Sequence, residues 1–173
     1  THKAPHSKAL LLLALAAACT SDSLDYPVIA DPTPFDATRD DRIADLDRFA
    51  DAAAVMFPLA PGANPFSMGA PDKPVNAWLW RADATEPYDV IAEGYATTRR
   101  RPAGTSGLRA AARHANGAWS IVFQRPLAAQ QAGCVRFQPG APSEIAFAIW
   151  DGSNRDRSAQ KAVSAGLLAL DFE

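Results

Sequence analysis

The sequence predicts a mainly β fold, an antiparallel β-sandwich with short helical or loop excursions. Apolar segments in the second half of the chain are short, and glycine, proline and asparagine turn signals separate them. The dipeptide Asn116-Gly117 supplies the positive φ angles of a tight hairpin turn between two such segments. The chain has 173 residues, 48% hydrophobic and 21% charged, which is the composition of one globular domain.

Seven segments carry the pattern expected of short β-strands. The first is ambiguous, because the alanine-rich residues 42–57 could form a helix, whereas residues 52–57 also fit a buried strand. Residues 75–82 carry bulky groups on both faces, as a central strand does. The predicted strands are residues 52–57, 75–82, 88–98, 108–114, 118–125, 144–150 and 162–172.

A long loop, residues 58–74, joins the first two predicted strands and is rich in proline and glycine. A loop of this length inside a small domain is usually functional or disordered. Met68 lies in this loop and outside any periodic apolar face, so its thioether is available to a ligand. Met56 follows an alanine-rich segment and is predicted to be a core residue instead.

The first 18 residues have the organisation of a secretory signal peptide. A positively chargeable start precedes an apolar run that is too short to cross a bilayer but right for a signal core. Residues 15–19 resemble a bacterial lipoprotein cleavage box, which makes Cys19 a candidate for lipid attachment. A buried N-terminal helix is the alternative, and the lack of a polar face argues against it.

We therefore predict a periplasmic protein, with a membrane anchor where Cys19 carries lipid. Residues 1–18 form the predicted signal peptide. Residues 19–40, rich in serine, aspartate, proline and threonine, form a tether. Residues 41–173 form the sandwich domain.

Composition and motifs exclude several familiar functions. The formal net charge of −2 argues against a protein that binds nucleic acid through phosphate contacts. The sequence has no glycine-rich nucleotide loop, no Cys-x-x-Cys-His and no cysteine cluster. Without residues 1–18, His114 is the one remaining histidine, which rules out a histidine-rich zinc site. A hydrolytic triad would need His114, which lies beside a turn where a solvated polar residue is the ordinary expectation.

Several motifs occur in a fixed order along residues 40–173. They are FADA at 49–52, MFP at 56–58, MG at 68–69, PVNAWLWRAD at 74–83, AWSIVFQRPL at 118–127, IAFAIWDG at 145–152 and KAVS at 161–164. In this order they resemble the haem b-binding gamma subunits of molybdoenzymes of the ethylbenzene dehydrogenase, dimethylsulfide dehydrogenase and selenate reductase type.

The resemblance implies a non-catalytic electron-transfer subunit with one haem b. Its iron would be held by Met68 and Lys161, and the predicted cofactor-binding set is completed by Trp80 and Trp150. The implied partners are a molybdenum-containing catalytic subunit, an iron–sulfur subunit and a soluble electron acceptor or donor. Lysine can ligate iron only as the neutral amine, so its site must lower a pKa that is about 10.4 in free lysine.

The residues leave some alternatives open. The four tryptophans could line a haem pocket, form a carbohydrate-binding platform or pack in the core, so a non-catalytic carbohydrate-binding or interaction module is the rival function. Residues 99–101, three arginines, could meet haem propionates or an acidic partner, or could be a solvated charge run. Cys134 is most simply a small buried group.

The chain departs from the family pattern before its DPT segment, residues 31–33. Family members have further strands before this segment. Here only residues 26–30 precede it, and they follow the signal-like region almost at once. We therefore expect part of one sheet to be missing, which bears on closure of the haem pocket.

Overall fold

The computed structural model describes residues 10–18, 49–127, 131–138 and 140–171. Cys19, the predicted tether and the predicted DPT segment lie outside the described residues, as does the charged start of the predicted signal peptide. Within the described ranges the regular secondary structure is strand apart from one short 3-10 turn, which confirms the mainly β prediction.

The described residues form ten strands and one short helical turn. The helical turn is a 3-10 turn at Pro65–Ser67. The strands are β1 (Leu10–Ala18), β2 (Ala52–Pro58), β3 (Val75–Arg81), β4 (Tyr88–Ala92), β5 (Arg99–Arg100), β6 (Arg109–Ala115), β7 (Ala118–Pro126), β8 (Ser143–Trp150), β9 (Ala162–Val163) and β10 (Leu168–Leu170).

The strands form two antiparallel sheets. The smaller sheet has the order β1-β7-β6, and the larger has the order β10-β8-β2-β3-β4-β5, with β9 also paired to β8. In the larger sheet β2 lies between β3 and β8, so that Ala54 is opposite Leu79 on one side and Ala148 on the other. β2 and β3 are therefore central strands, buried on both faces.

The two sheets pack face to face around an aromatic core. Side chains alternate between the faces of a strand, and one face of each central strand points to the smaller sheet. The rings of Phe57 and Trp78 lie 4.8 Å apart, and the ring of Phe137 packs edge-on to Trp78 at 6.0 Å. Ile121 and Phe123 of β7 complete this core from the smaller sheet. The sandwich is thus stabilised by burial of large apolar side chains, each contributing about 1.5–3 kcal/mol.

The opposite face of the larger sheet has small side chains at its centre. Because side chains alternate, the residues between the core residues point to this second face, which we call the outer face. Loop residues Phe66, Met68 and Ala84 pack against it. Its alanines are Ala52, Ala54, Ala77, Ala146 and Ala148, all nearly or fully buried.

The hairpin prediction is confirmed. Asn116 and Gly117 have φ angles of 54° and 73° and join β6 to β7 without further loop residues. Such angles match the right-handed twist of the two strands that they connect.

Two predicted strands are wrong in extent. The segment 88–98 is not one strand: β4 ends at Ala92, because Gly94 and Ala96 have positive φ angles and Thr97 Oγ1 accepts the amide of Glu93. The segment 162–172 breaks into β9 and β10, because the Ser164 hydroxyl accepts the amide hydrogen of Phe147 that a continued ladder would use.

The apolar run of the predicted signal peptide forms β1 and pairs residue for residue with β7, from Leu10 opposite Pro126 to Ala18 opposite Ala118. This pairing concerns the uncleaved chain, and removal of residues 1–18 on export stays a prediction. Among the described residues, no helix has the length and apolar character needed to cross a membrane.

Candidate functional site

Met68 is held in an unusual backbone conformation by the loop between β2 and β3. Its φ and ψ angles of 60° and 30° are left-handed, a region that residues other than glycine rarely adopt. Asn64 caps the preceding 3-10 turn by accepting the amide of Phe66 at 2.9 Å. The Met68 amide donates to Pro65 O, and the Met68 carbonyl accepts from Gly94 N at 2.8 Å. Strain of this kind persists only where surrounding contacts enforce it, and it is concentrated at functional sites.

Gly69 explains why the motif is Met-Gly. Its φ angle is 81°, and a Cβ atom there would lie 2.7 Å from the Lys73 carbonyl oxygen and 3.0 Å from that of Ala92. Only glycine allows the loop to approach the backbone of β4 this closely. The close approach fixes Met68 against the outer face.

Lys161 is positioned by the loop between β8 and β9. Asp151 starts this loop and accepts hydrogen bonds from the amide and hydroxyl of Ser153, at 2.9 and 2.6 Å. The indole N–H of Trp150 donates to the Ser158 carbonyl at 3.1 Å, which folds the loop back over the end of β8. Lys161 follows and is the last residue before β9.

The two loops bring Met68 and Lys161 together. Lys161 Nζ lies 3.5 Å from Met68 Sδ, although the two residues are 93 positions apart. The same Nζ lies 5.0 Å from the centroid of the Trp150 ring. A thioether, an amine and an aromatic ring therefore meet on the outer face.

The surroundings of Lys161 favour its neutral form. Burial lowers the pKa of the Lys161 ammonium from its ordinary value. Across the described ranges, no acidic side chain forms an ion pair with it. A neutral amine has a lone pair to donate, and a thioether sulfur is a soft donor, so the pair could hold a transition-metal ion. The described residues contain no group of three or more histidine, cysteine or acidic side chains that could do so.

The structure separates one predicted cofactor residue from the rest. Trp150 lies with Met68 and Lys161 on the outer face, whereas Trp80 points to the other side of the sheet and packs on Trp119, with centroids 4.7 Å apart. The alternation along β3 carries this information, because Trp80 shares its face with the core residue Trp78.

The tryptophans do not form an exposed platform. Trp78 is fully buried and Trp150 is 8% exposed, while Trp80 and Trp119 are half-buried between the sheets. Carbohydrate-binding platforms need aromatic faces open to solvent, so the rival function loses the feature on which it rested.

The three consecutive arginines have three separate partners. Arg99 forms an ion pair with Glu93 at 2.8 Å, Arg100 lies over the ring of Tyr88 at 3.4 Å, and Arg101 lies 3.4 Å from Asp89 Oδ1. Arg101 is largely buried, so the interpretation as a solvated run fails for it.

Sequence reasoning missed a buried polar cluster between the sheets. Asn76 donates to Asp89 at 2.6 Å and accepts the amide of Val135 at 3.0 Å. Arg125 donates to the Val135 carbonyl and lies 3.8 Å from Asp89, and burial lowers the pKa of its guanidinium. The cluster connects β3, β4 and β7 to the segment 131–138. No local sequence pattern predicted it.

Cys134 belongs to this cluster. It is 6% exposed, and its sulfur lies 3.7 Å from Asp89 Oδ2. Burial, with the charge of Asp89, raises the pKa of the thiol, so the group stays protonated and unreactive at neutral pH. The prediction of a small buried group fits this placement.

Three relatives are similar to the chain over most of its length. It is 37% identical to the putative respiratory nitrate reductase heme subunit of Haloferax mediterranei over 130 residues, 75% of this chain and 46% of that protein. It is 37% identical to the chlorate reductase gamma subunit of Ideonella dechloratans over 139 residues, 79% of this chain and 56% of that protein. It is 33% identical to the dimethylsulfide dehydrogenase gamma subunit of Rhodovulum sulfidophilum over 123 residues, 68% and 46% of the two proteins.

The chain spans about half the length of these curated relatives. A family profile described as ethylbenzene dehydrogenase matches residues 20–109 and 102–162. The matched residues include both loops that meet at the outer face. The resemblance inferred from the ordered motifs is confirmed, and the chain belongs to the ethylbenzene dehydrogenase family.

Proposed function

We propose that this chain is a non-catalytic electron-transfer subunit that binds one haem b through Met68 and Lys161. The observation that carries the proposal is the 3.5 Å approach of Met68 Sδ to Lys161 Nζ. One relative is named a heme subunit and two are named gamma subunits of a reductase and a dehydrogenase, which supports the same role here.

Met68 and Lys161 would hold the haem iron, one through a thioether and the other through a neutral amine. Both donors come from loops that meet on the outer face, so a shared ligand would be held by two distant chain segments. When bound, haem supplies one-electron redox chemistry, and a methionine ligand tends to raise its reduction potential.

The chain's own contribution is to position and desolvate these donors. The loop hydrogen bonds hold the Met68 backbone left-handed and aim its thioether at Lys161. Burial lowers the pKa of the Lys161 ammonium and so favours the neutral amine, which has a lone pair to donate. Trp150 shields the amine with its ring while its indole N–H anchors the loop that carries Lys161.

The partners in this proposal are a molybdenum-containing catalytic subunit and an iron–sulfur subunit. Electrons pass between the iron–sulfur subunit and a soluble acceptor or donor by way of this chain. The complex works in the periplasm, after removal of residues 1–18, and lipid on Cys19 would tether it to a membrane.

Haem titration of the purified chain tests the proposal. We expect stoichiometric haem uptake with the sharp visible bands of a six-coordinate haem. Met68→Ala and Lys161→Ala should each weaken haem binding at least tenfold and shift these bands, because each removes one of the two side chains that would hold the iron.

The chain offers a matched control for each ligand. Lys73→Ala removes an exposed lysine and should leave the haem spectrum unchanged. Met56→Leu removes the thioether of the other methionine at nearly constant volume, and because Met56 lies in the outer-face cluster it should shift the bands far less than Met68→Ala does. Unchanged spectra in the Met68 and Lys161 variants, with both proteins folded by circular dichroism, would show that other residues hold the haem.

A further inference from the structure

β6 forms an outer strand of the smaller sheet. It has seven residues, and among the described strands it pairs only with β7. The strands that end the larger sheet are much shorter, since β5 has two residues and β10 has three. A long, unpaired strand edge presents a row of backbone donors and acceptors to which another chain can add.

The hairpin fixes which backbone groups face this open edge. Residues that flank a two-residue turn form a hydrogen-bonded pair, and such pairs alternate with pairs that lack these bonds. Ala115 and Ala118 flank the turn, so the odd-numbered residues of β6 are bonded to β7. The amide N–H and carbonyl groups of Ala110, Ala112 and His114 therefore point away from β7.

The side chains of β6 leave the strand accessible. Ala112 and His114 share a face with the core residues of β7, yet both are exposed, so the larger sheet does not cover them. Alanines at four of the seven positions add little bulk beside the open edge. β6 contains no proline or glycine that would interrupt pairing, and its charged side chains are all basic.

The edge is also basic in a chain with net charge −2. Arg109 and Arg113 are exposed and lie on the same face of β6, two positions either side of Ala111. Within the described part of the chain, neither arginine forms an ion pair. A second copy of β6 would bring arginines close to arginines, whereas a strand with acidic side chains at alternate positions would complement them.

We propose that the open edge of β6 is a docking site for an extended acidic strand of a partner protein, which adds to the smaller sheet beside β6. The strand would exchange backbone hydrogen bonds with Ala110, Ala112 and His114, and its carboxylates would meet Arg109 and Arg113. The proposal goes beyond the electron-transfer function and needs no haem, so a failure of either proposal leaves the other unaffected.

Two peptides of about nine residues, one alternating glutamate with valine and one alternating lysine with valine, test it with the full chain. The glutamate peptide should bind saturably and weaken as salt rises, and the lysine peptide should not bind. Residue-resolved hydrogen exchange should show the amides of Ala110, Ala112 and His114 becoming protected on binding, whereas those of Ala111 and Arg113 are protected throughout.

Variants separate backbone pairing from charge. Ala112→Pro removes one outward amide N–H but no hydrogen bond to β7, so it should weaken binding of the glutamate peptide about tenfold. Ala112→Val keeps the amide N–H and should leave this binding unchanged. Arg113→Glu should weaken binding of the glutamate peptide by a similar factor and should allow the lysine peptide to bind. This variant tests the proposal if Ala112→Pro does not fold.

Three results would overturn the proposal. One is equal binding of both peptides. Another is protection of the three outward amides in the monomeric chain alone, which would mean that the edge is already covered by the chain itself. The third is a dimer by sedimentation that Ala112→Pro dissociates, which would assign the edge to a second copy.

Discussion

The two faces of β2 and β3 differ in where their aromatic side chains lie. The inner face, towards the smaller sheet, carries Phe57 and Trp78, and the outer face carries Ala54 and Ala77 at neighbouring positions. Both faces are buried, so the difference is one of side-chain volume and not of exposure. Large rings hold the sheets together, whereas small side chains allow loops to approach the strands from the other side.

The inner face of these strands therefore stabilises the sandwich, and the outer face supports the candidate site. The aromatic side chains of the inner face pack between the two sheets, whereas Met68 and Trp150 lie on the outer face with its alanines. Substitutions on the inner face should therefore change the free energy of unfolding, and substitutions on the outer face should also change what the Met68 and Lys161 pair can bind.

The largest expected effect is at the centre of the inner face. Trp78→Ala should lower the free energy of unfolding by about 3–5 kcal/mol, because Trp78 is fully buried against Phe57, Phe123 and Phe137. Trp78→Phe should cost much less, since the indole N–H has no hydrogen-bond partner among the described residues. Urea unfolding monitored by circular dichroism measures both, and equal losses would mean that the ring contacts contribute little.

Features of this architecture that depend on local sequence could be predicted, whereas features that depend on contacts between distant segments could not. Strand periodicity and Asn116-Gly117 are local signals, so the fold class and the hairpin followed from them. The meeting of Met68 and Lys161 depends on contacts between distant segments, and only the family resemblance pointed to it. Ser164 ended β9 through a side-chain hydrogen bond that no periodicity reveals.

The contact between Asp89 and Arg125 had no sequence signal for a related reason. The two residues belong to strands of different sheets, and only the packing of the sheets brings them together. The position of Trp80 was, in contrast, available from the alternation along β3, because Trp78 and Trp80 share one face.

An effect of intermediate size is expected from two neighbouring alanines that point to opposite faces of β2. Ala53 points to the inner face and Ala54 to the outer face, and both are almost fully buried. Leucine at either position should cost about 1–3 kcal/mol of folding free energy by overpacking. Only Ala54→Leu should also weaken haem binding, because Ala54 lies in the cluster against which Met68 packs. Haem titration of the two variants decides this, and equal weakening would mean that the outer face has no special relation to the site.

The smallest expected effect is the pH dependence that Lys161 gives to the haem-free chain. Because burial lowers the pKa of Lys161 when the chain is folded, the unfolded chain binds more protons between that lowered pKa and the ordinary lysine pKa. Stability should therefore rise with pH across this window, and Lys161→Met should remove that part of the rise.

Paired urea unfolding curves of the parent chain and Lys161→Met, recorded at stepped alkaline pH, measure the difference. The stability advantage of Lys161→Met should shrink as pH increases, since the parent chain no longer has to bury a charge once the amine is neutral. Lys73→Met makes the same change in net charge at an exposed site and controls for general electrostatics. A constant difference between the parent chain and Lys161→Met would mean that Lys161 stays solvated, and that the outer face shields its ligand pair no better than the surface does.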